Sequence, residues 1–166
     1  TDMVLISGGS SVGTKDFTVD VLSRLPETRI MVHGISISPG KPTILASAGG
    51  KPVWGLPGQV TSAMVVFKIV VTPFLDQLKG LDRKDRFTRI PARLSRNVSS
   101  AQGRRDFVRV GLTMTRDGFE ATPIMGKSGL IRTMIQADGL LEISDHLEGL
   151  EQGSQVDIIL LQGGRS

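Results

Sequence analysis

The chain has 166 residues, 39% of them hydrophobic and 22% charged, enough to bury a real core as one domain or two small ones. It contains no cysteine, which excludes disulfides, zinc-thiolate sites and cysteine nucleophiles. The net charge of +4 is spread unevenly: residues 79–109 hold ten basic residues, whereas residues 137–161 hold six carboxylates and no Lys or Arg. The basic stretch has no Tyr or Trp to stack bases, so it predicts a solvated linker face or attraction for an anionic cofactor rather than nucleic acid. No signal-peptide pattern and no uninterrupted apolar run of about eighteen residues is visible, so the expectation is a cytoplasmic protein with no membrane partner.

In chain order, Met3-Val4-Leu5-Ile6 reads as a short strand of a doubly covered parallel sheet. The loop Ser7-Gly8-Gly9-Ser10-Ser11-Val12-Gly13-Thr14-Lys15-Asp16 follows, and helix-compatible spacing resumes at Phe17. Its glycines let the backbone approach an anion, and Ser10 and Ser11 add hydroxyl donors. It is not a phosphate loop of the Gly-Lys-Ser/Thr type, because Gly13 is followed by Thr14. Asp16 either caps the helix or holds a metal or an alcohol.

Residues 29–37 read as a second strand, with Ile30, Val32, Ile35 and Ile37 apolar, and His33 fits a structural turn or core role. Pro39 and Pro42 then bracket Gly40 and Lys41, displaying the lysine on a stiff turn. Such a lysine suits a phosphate or oxyanion, and equally a solvated surface turn. A third loop, Gly55-Leu56-Pro57-Gly58, leads into a long apolar helix over residues 63–78 with Thr61 or Ser62 as N-cap. Ser62 equally suits a ligand contact. Each loop ends an apolar run, which places three phosphate-sized loops on one edge of a parallel sheet.

Gly80 ends the helix and the charged run 82–86 reads as an exposed linker. Before it the pattern is that of a three-layer α/β unit, residues 1–80. After it, residues 81–166 read as a small all-β barrel or sandwich, with strands over 87–94, 106–114, 119–124, 139–143 and 155–161 and turns at Asp117-Gly118 and 152–154. Asp117-Gly118 signals a hairpin.

The motif Ser-Gly-Gly-x-Ser-x-Gly-x-x-Asp at 7–16, then His33-Gly34, Pro39-Gly40-Lys41-Pro42 and Gly55-Leu56-Pro57-Gly58 followed by Ser62-Ala63, resembles the molybdopterin molybdenumtransferase family, the MoeA and gephyrin E-domain type. Gly103-Arg104 with Phe107 and Arg109, Ser128-Gly129 and Ala137-Asp138-Gly139-Leu140 resemble that family's C-terminal domain, so the resemblance covers nearly the whole chain. Two departures touch the site: Gln59-Val60-Thr61 replaces the family's Asn-Pro-Val, and Ser38 replaces a basic residue. Family members are much longer, so the chain resembles a C-terminal fragment cut inside the binding domain.

The resemblance implies insertion of molybdate into adenylylated molybdopterin, with Mg²⁺ and release of AMP, by a parent protein expected to be a homodimer. It implies phosphate or pterin contacts from Ser7, Gly8, Gly9, Ser10, Ser11 and Gly13, with Pro39, Gly40, Pro57, Gly58 and Ser62 lining the rest. Asp16 would serve Mg²⁺ or ligand orientation and Lys41 the oxyanion or phosphate; Arg104 and Ser128 are further candidates. The alternatives are a non-catalytic scaffold or dimerisation module, and a molybdopterin-sensing module. The fragment alone is expected to be inactive.

Overall fold

A computed structural model describes residues 1–8, 17–81, 87–124, 126 and 131–161. The chain forms two compact units, Thr1–Val71 and Thr72–Ser166.

The first unit contains β1 (Val4–Ser7), α1 (Phe17–Arg24), β2 (Thr28–His33), the two-residue β3 (Ile37–Ser38), β4 (Ile44–Ala48), β5 (Lys51–Leu56) and α2 (Val60–Val66), which continues as a π-helical turn over Phe67–Val71. Its four-stranded sheet has the order β1-β5-β4-β2. Leu22 of α1 is buried against Ile44, Ala46 and Val53 on one face. Trp54 and Leu56 alternate to the opposite face and are also buried, so the sheet is covered on both sides in a three-layer arrangement.

The sheet is mixed, not parallel as the sequence suggests. β1 pairs β5 in parallel, but β4 is antiparallel to both β5 and β2. The cause is Gly49-Gly50, at φ 54° and 76°, which turns the chain directly from β4 into β5. Two residues suffice for an antiparallel hairpin and are far too few for a parallel crossover.

The helix also starts earlier than expected. Ala63 N donates to Gln59 O at 2.9 Å, which makes extended Gln59 the N-cap instead of Thr61 or Ser62. Gln59 makes no side-chain cap bond, and Ser62 Oγ donates to Gln59 Oε1 at 3.4 Å, reversing the residue order of the usual capping box. Over Val60–Leu78 the helical stretch is long and apolar enough on average to cross a membrane, although Lys68 and Asp76 interrupt it. Val65, Val66 and Val71 are fully buried within the protein itself, while Val60, Met64, Phe67 and Leu78 are exposed.

In the second unit, α3 (Thr72–Leu78) ends as expected at Gly80. Gly80 N donates to Gln77 O and Leu81 N to Asp76 O, with Gly80 at φ 70°, the paired bonds of a Schellman cap. The strands β6 (Arg89–Leu94), β8 (Arg105–Thr115), β9 (Gly118–Pro123), β10 (Gly139–Ile143) and β12 (Gln155–Leu160) run in the order β10-β12-β6-β9-β8. A further β8–β10 pairing closes them into a small barrel. Ala92, Leu94, Val98, Val110, Ala121, Leu141, Ile143 and Ile158 fill it. Short strands β7 (Val98–Ser99) and β11 (Gly149–Leu150) pair separately, and α4 (Ile131–Ile135) precedes β10. The β8–β9 turn is Arg116-Asp117, one residue earlier than Asp117-Gly118: Thr115 pairs with Gly118 and its hydroxyl donates to Gly118 O at 2.7 Å.

Candidate functional site

The registers of the first sheet bring the ends of its strands together. Ser7, the last residue of β1, pairs with Leu56, the last of β5. Ile44, the first of β4, pairs with both Gly55 and His33, the last residue of β2. The segments that follow β1, β2 and β5 therefore leave from one edge, as the sequence suggests despite the changed strand directions. A Cβ built on Gly58 would lie 3.7 Å from Gly8 Cα, so the first and third loops touch through glycine backbone. Thr18 Oγ1 donates to Gly8 O at 3.2 Å and ties the start of α1 to the end of β1.

The Pro39–Pro42 turn is braced from beneath. Gly34 N donates to Thr43 O at 2.8 Å, Ile35 N to Lys41 O at 2.9 Å, and buried Thr43 Oγ1 to Gly40 O at 2.6 Å. The peptide bond between Ser38 and Pro39 is cis. Gly40 is buried at φ 128°, where a Cβ would lie 2.5 Å from Val66 Cγ2 and 2.9 Å from Ile37 Cδ1. The turn is thus seated on α2 by the missing side chain, and the exposed Lys41 is held on a backbone with little freedom left to lose.

Of the expected site residues, Ser7 and Gly58 are exposed, Gly8 is half-buried at φ 97°, Pro39 is half-buried, and Gly40, Pro57 and Ser62 are buried. The Ser62 hydroxyl lies within the first helical turn, beside Gln59. Thr61 is buried with no partner for its Oγ1, a residue that sequence reading treats only as a cap. Gly9, Ser10, Ser11, Gly13, Asp16 and Ser128 lie outside the described residues. His33 is exposed at the end of β2 and not in the core. Among the described residues no three His, Cys, Asp or Glu side chains cluster as a metal site.

In the second unit Arg104 Nε pairs with Asp106 Oδ1 at 3.0 Å, and Asp106 also accepts from Ser100 Oγ at 2.8 Å. Arg109 is more enclosed: Nη1 donates to Thr133 Oγ1 at 2.7 Å and Nη2 to Gly126 O at 3.4 Å, and burial pulls its pKa below the usual arginine value. The two bonds tie Gly126 and α4 to β8. Asp138 Oδ2 accepts from Leu112 N at 2.8 Å, and Asp138 N donates to Val110 O at 3.0 Å, which fixes the start of β10 on β8.

Residues 1–77 match the family model described as a probable molybdopterin binding domain, and residues 91–161 match the MoeA C-terminal region, domain IV. A putative molybdopterin biosynthesis protein of Methanocaldococcus jannaschii is 36% identical over 97% of this chain and 37% of its own length. A molybdopterin molybdenumtransferase of Staphylococcus epidermidis is 27% identical over 97% of this chain and 38% of its own length. A crystal structure of a molybdopterin biosynthesis MoeA protein from a Pyrococcus species superposes with a TM-score of 0.79 at 40% identity, covering 98% of this chain and 38% of that one. The chain therefore spans under two fifths of the length of these relatives. With both family regions matched in order and the fold shared at this identity, the chain belongs to the MoeA-type family of molybdopterin biosynthesis proteins.

Proposed function

We propose that this chain is the molybdopterin- and oxyanion-handling portion of a molybdopterin molybdenumtransferase, acting in molybdenum cofactor biosynthesis. The observation that carries this reading is the convergence of the segments after β1, β2 and β5 on one sheet edge. The chemistry requires several anions to be brought together, which calls for backbone donors and fixed positive charge in place of a nucleophile. Ser7 and Gly8, continued by Gly9, Ser10, Ser11 and Gly13, serve phosphate or pterin groups. Pro39 and Gly40 hold Lys41 so that its ammonium offsets charge on molybdate or a phosphate. Pro57 and Gly58 shape the floor beside Gly8, and Ser62 orients Gln59 at the helix start.

The finer parts of this reading are adenylylated molybdopterin as substrate, Mg²⁺, AMP release, a homodimeric parent and a cytoplasmic location. They rest on the motif resemblance alone. The metal rests on Asp16 alone. Arg104 and Ser128 are the candidates in the second domain. We place the domain boundary at 80/81, inside the stretch 78–90 that neither family model matches, although the division into compact units falls earlier, between Val71 and Thr72.

The test is equilibrium binding of molybdopterin to the 166-residue chain, followed by molybdate-dependent AMP release from the adenylylated pterin. The chain is expected to bind the pterin without releasing AMP, and a longer polypeptide carrying the relatives' remaining regions to do both. Failure to bind the pterin would overturn the reading; AMP release by the chain alone would overturn its status as an inactive portion.

A further inference from the structure

The start of α2 breaks a local rule. Its N-cap is Gln59, extended at φ −76° and ψ 121°, and the side chain makes no cap bond to the helix. Asn, Asp, Ser or Thr would satisfy an N–H group of the first turn from this position; Gln carries its carboxamide one methylene further out. Such a departure from local preference is expected where a side chain serves something other than stability. Position 59 is also where the sequence has Gln in place of the family's Asn.

The carboxamide is placed and oriented for such a use. Gln59 follows Gly58, the residue at which the third loop touches Gly8 of the first, and it is exposed between buried Pro57 and buried Thr61. Ser62 Oγ donates to Gln59 Oε1 at 3.4 Å, which turns the amide oxygen toward the helix and its NH2 group away from Ser62. Over residues 55–59 Gln59 is the one polar side chain. An amide NH2 offers two hydrogens and no charge, so beside the Lys41 ammonium it adds a directional bond where the lysine adds a point charge.

We propose that Gln59 is a specificity-determining contact of the loop edge: its NH2 group donates to an oxyanion oxygen of the ligand, on molybdate or on the phosphate of the pterin, with Ser62 as the positioning residue that holds the carboxamide. This rests on the loop-edge reading above. Asn at the same position would be drawn back onto the helix as a cap and would not reach the ligand, so the longer side chain gives up cap stability for a contact.

The experiment titrates the 166-residue chain by calorimetry with molybdate and, separately, with molybdopterin, and measures the melting temperature of each variant. Gln59→Asn should raise the melting temperature by about 2–4 °C, as a restored cap, while weakening one of the two ligands about tenfold. Gln59→Ala, which loses the donor but no cap bond, should weaken the same ligand at an unchanged melting temperature. Gln59→Glu should weaken it further, because it sets a negative charge against the anion. The ligand whose affinity falls identifies the source of the oxygen. The proposal is overturned if Gln59→Asn and Gln59→Ala bind both ligands as the wild type does, or if affinity falls only together with the melting temperature, which would make Gln59 structural. A wild-type chain that binds neither ligand would overturn the loop-edge reading itself, and this proposal with it.

Discussion

Gly40 shows most directly how one residue places the candidate site. At φ 128° and with Val66 Cγ2 only 2.5 Å from where a Cβ would stand, it tolerates no side chain. Gly40→Ala should cost about 2–4 kcal/mol, from left-handed strain together with overpacking, measured by chemical denaturation. Lys41, its neighbour, is exposed and contributes little to folding. Lys41→Ala should therefore weaken molybdate or molybdopterin binding while the melting temperature stays within the range of a neutral surface change. Unchanged affinity, or a large loss of stability, would remove Lys41 from the site. For Asp16 the two readings separate cleanly. A cap predicts that Asp16→Asn is nearly silent and Asp16→Ala costs about 1 kcal/mol. A ligand role predicts that the Asn change alone suppresses turnover of the full-length parent with the fold intact; wild-type turnover would leave only the cap.

At the scale of elements, the barrel depends on a few bonds that cross between strands. Asp138→Ala would leave Leu112 N without its acceptor and should destabilise the chain by about 1–3 kcal/mol, whereas Asp138→Asn keeps an acceptor and should recover most of the loss. Equal losses in both variants would show that the carboxylate charge, not the hydrogen bond, matters. The three loops are legible in sequence because Gly and Pro mark them, and a rigid edge needs those residue types. The mixed sheet is less legible. Gly49-Gly50 is a hairpin signal, but Pro52 and the small residues of Ile44–Ala48 blur the alternation on either side of it. Gln59 is not a residue expected at an N-cap, so Thr61 and Ser62 draw attention although they lie within the first turn of the helix. β7, β11 and the five-residue α4 are too short for a hydrophobic period to repeat and leave no pattern to read.

For the whole molecule, two units with separate cores follow from one chain: a covered mixed sheet with its loops gathered at one edge, and a closed barrel tied by Asp138 and Arg109. The proposed molybdopterin-handling site is the loop edge, and the uneven charge along the chain offers the rival location in the basic stretch around Arg89, Arg104, Arg105 and Arg109. Amide chemical-shift mapping by NMR during titration with molybdopterin and molybdate decides between them. The account predicts saturable shifts concentrated at Ser7, Gly8, Gly40, Lys41 and Gly58, lost for the oxyanion in Lys41→Ala; shifts confined to the arginines of the barrel, with the loop-edge amides unmoved, would contradict it.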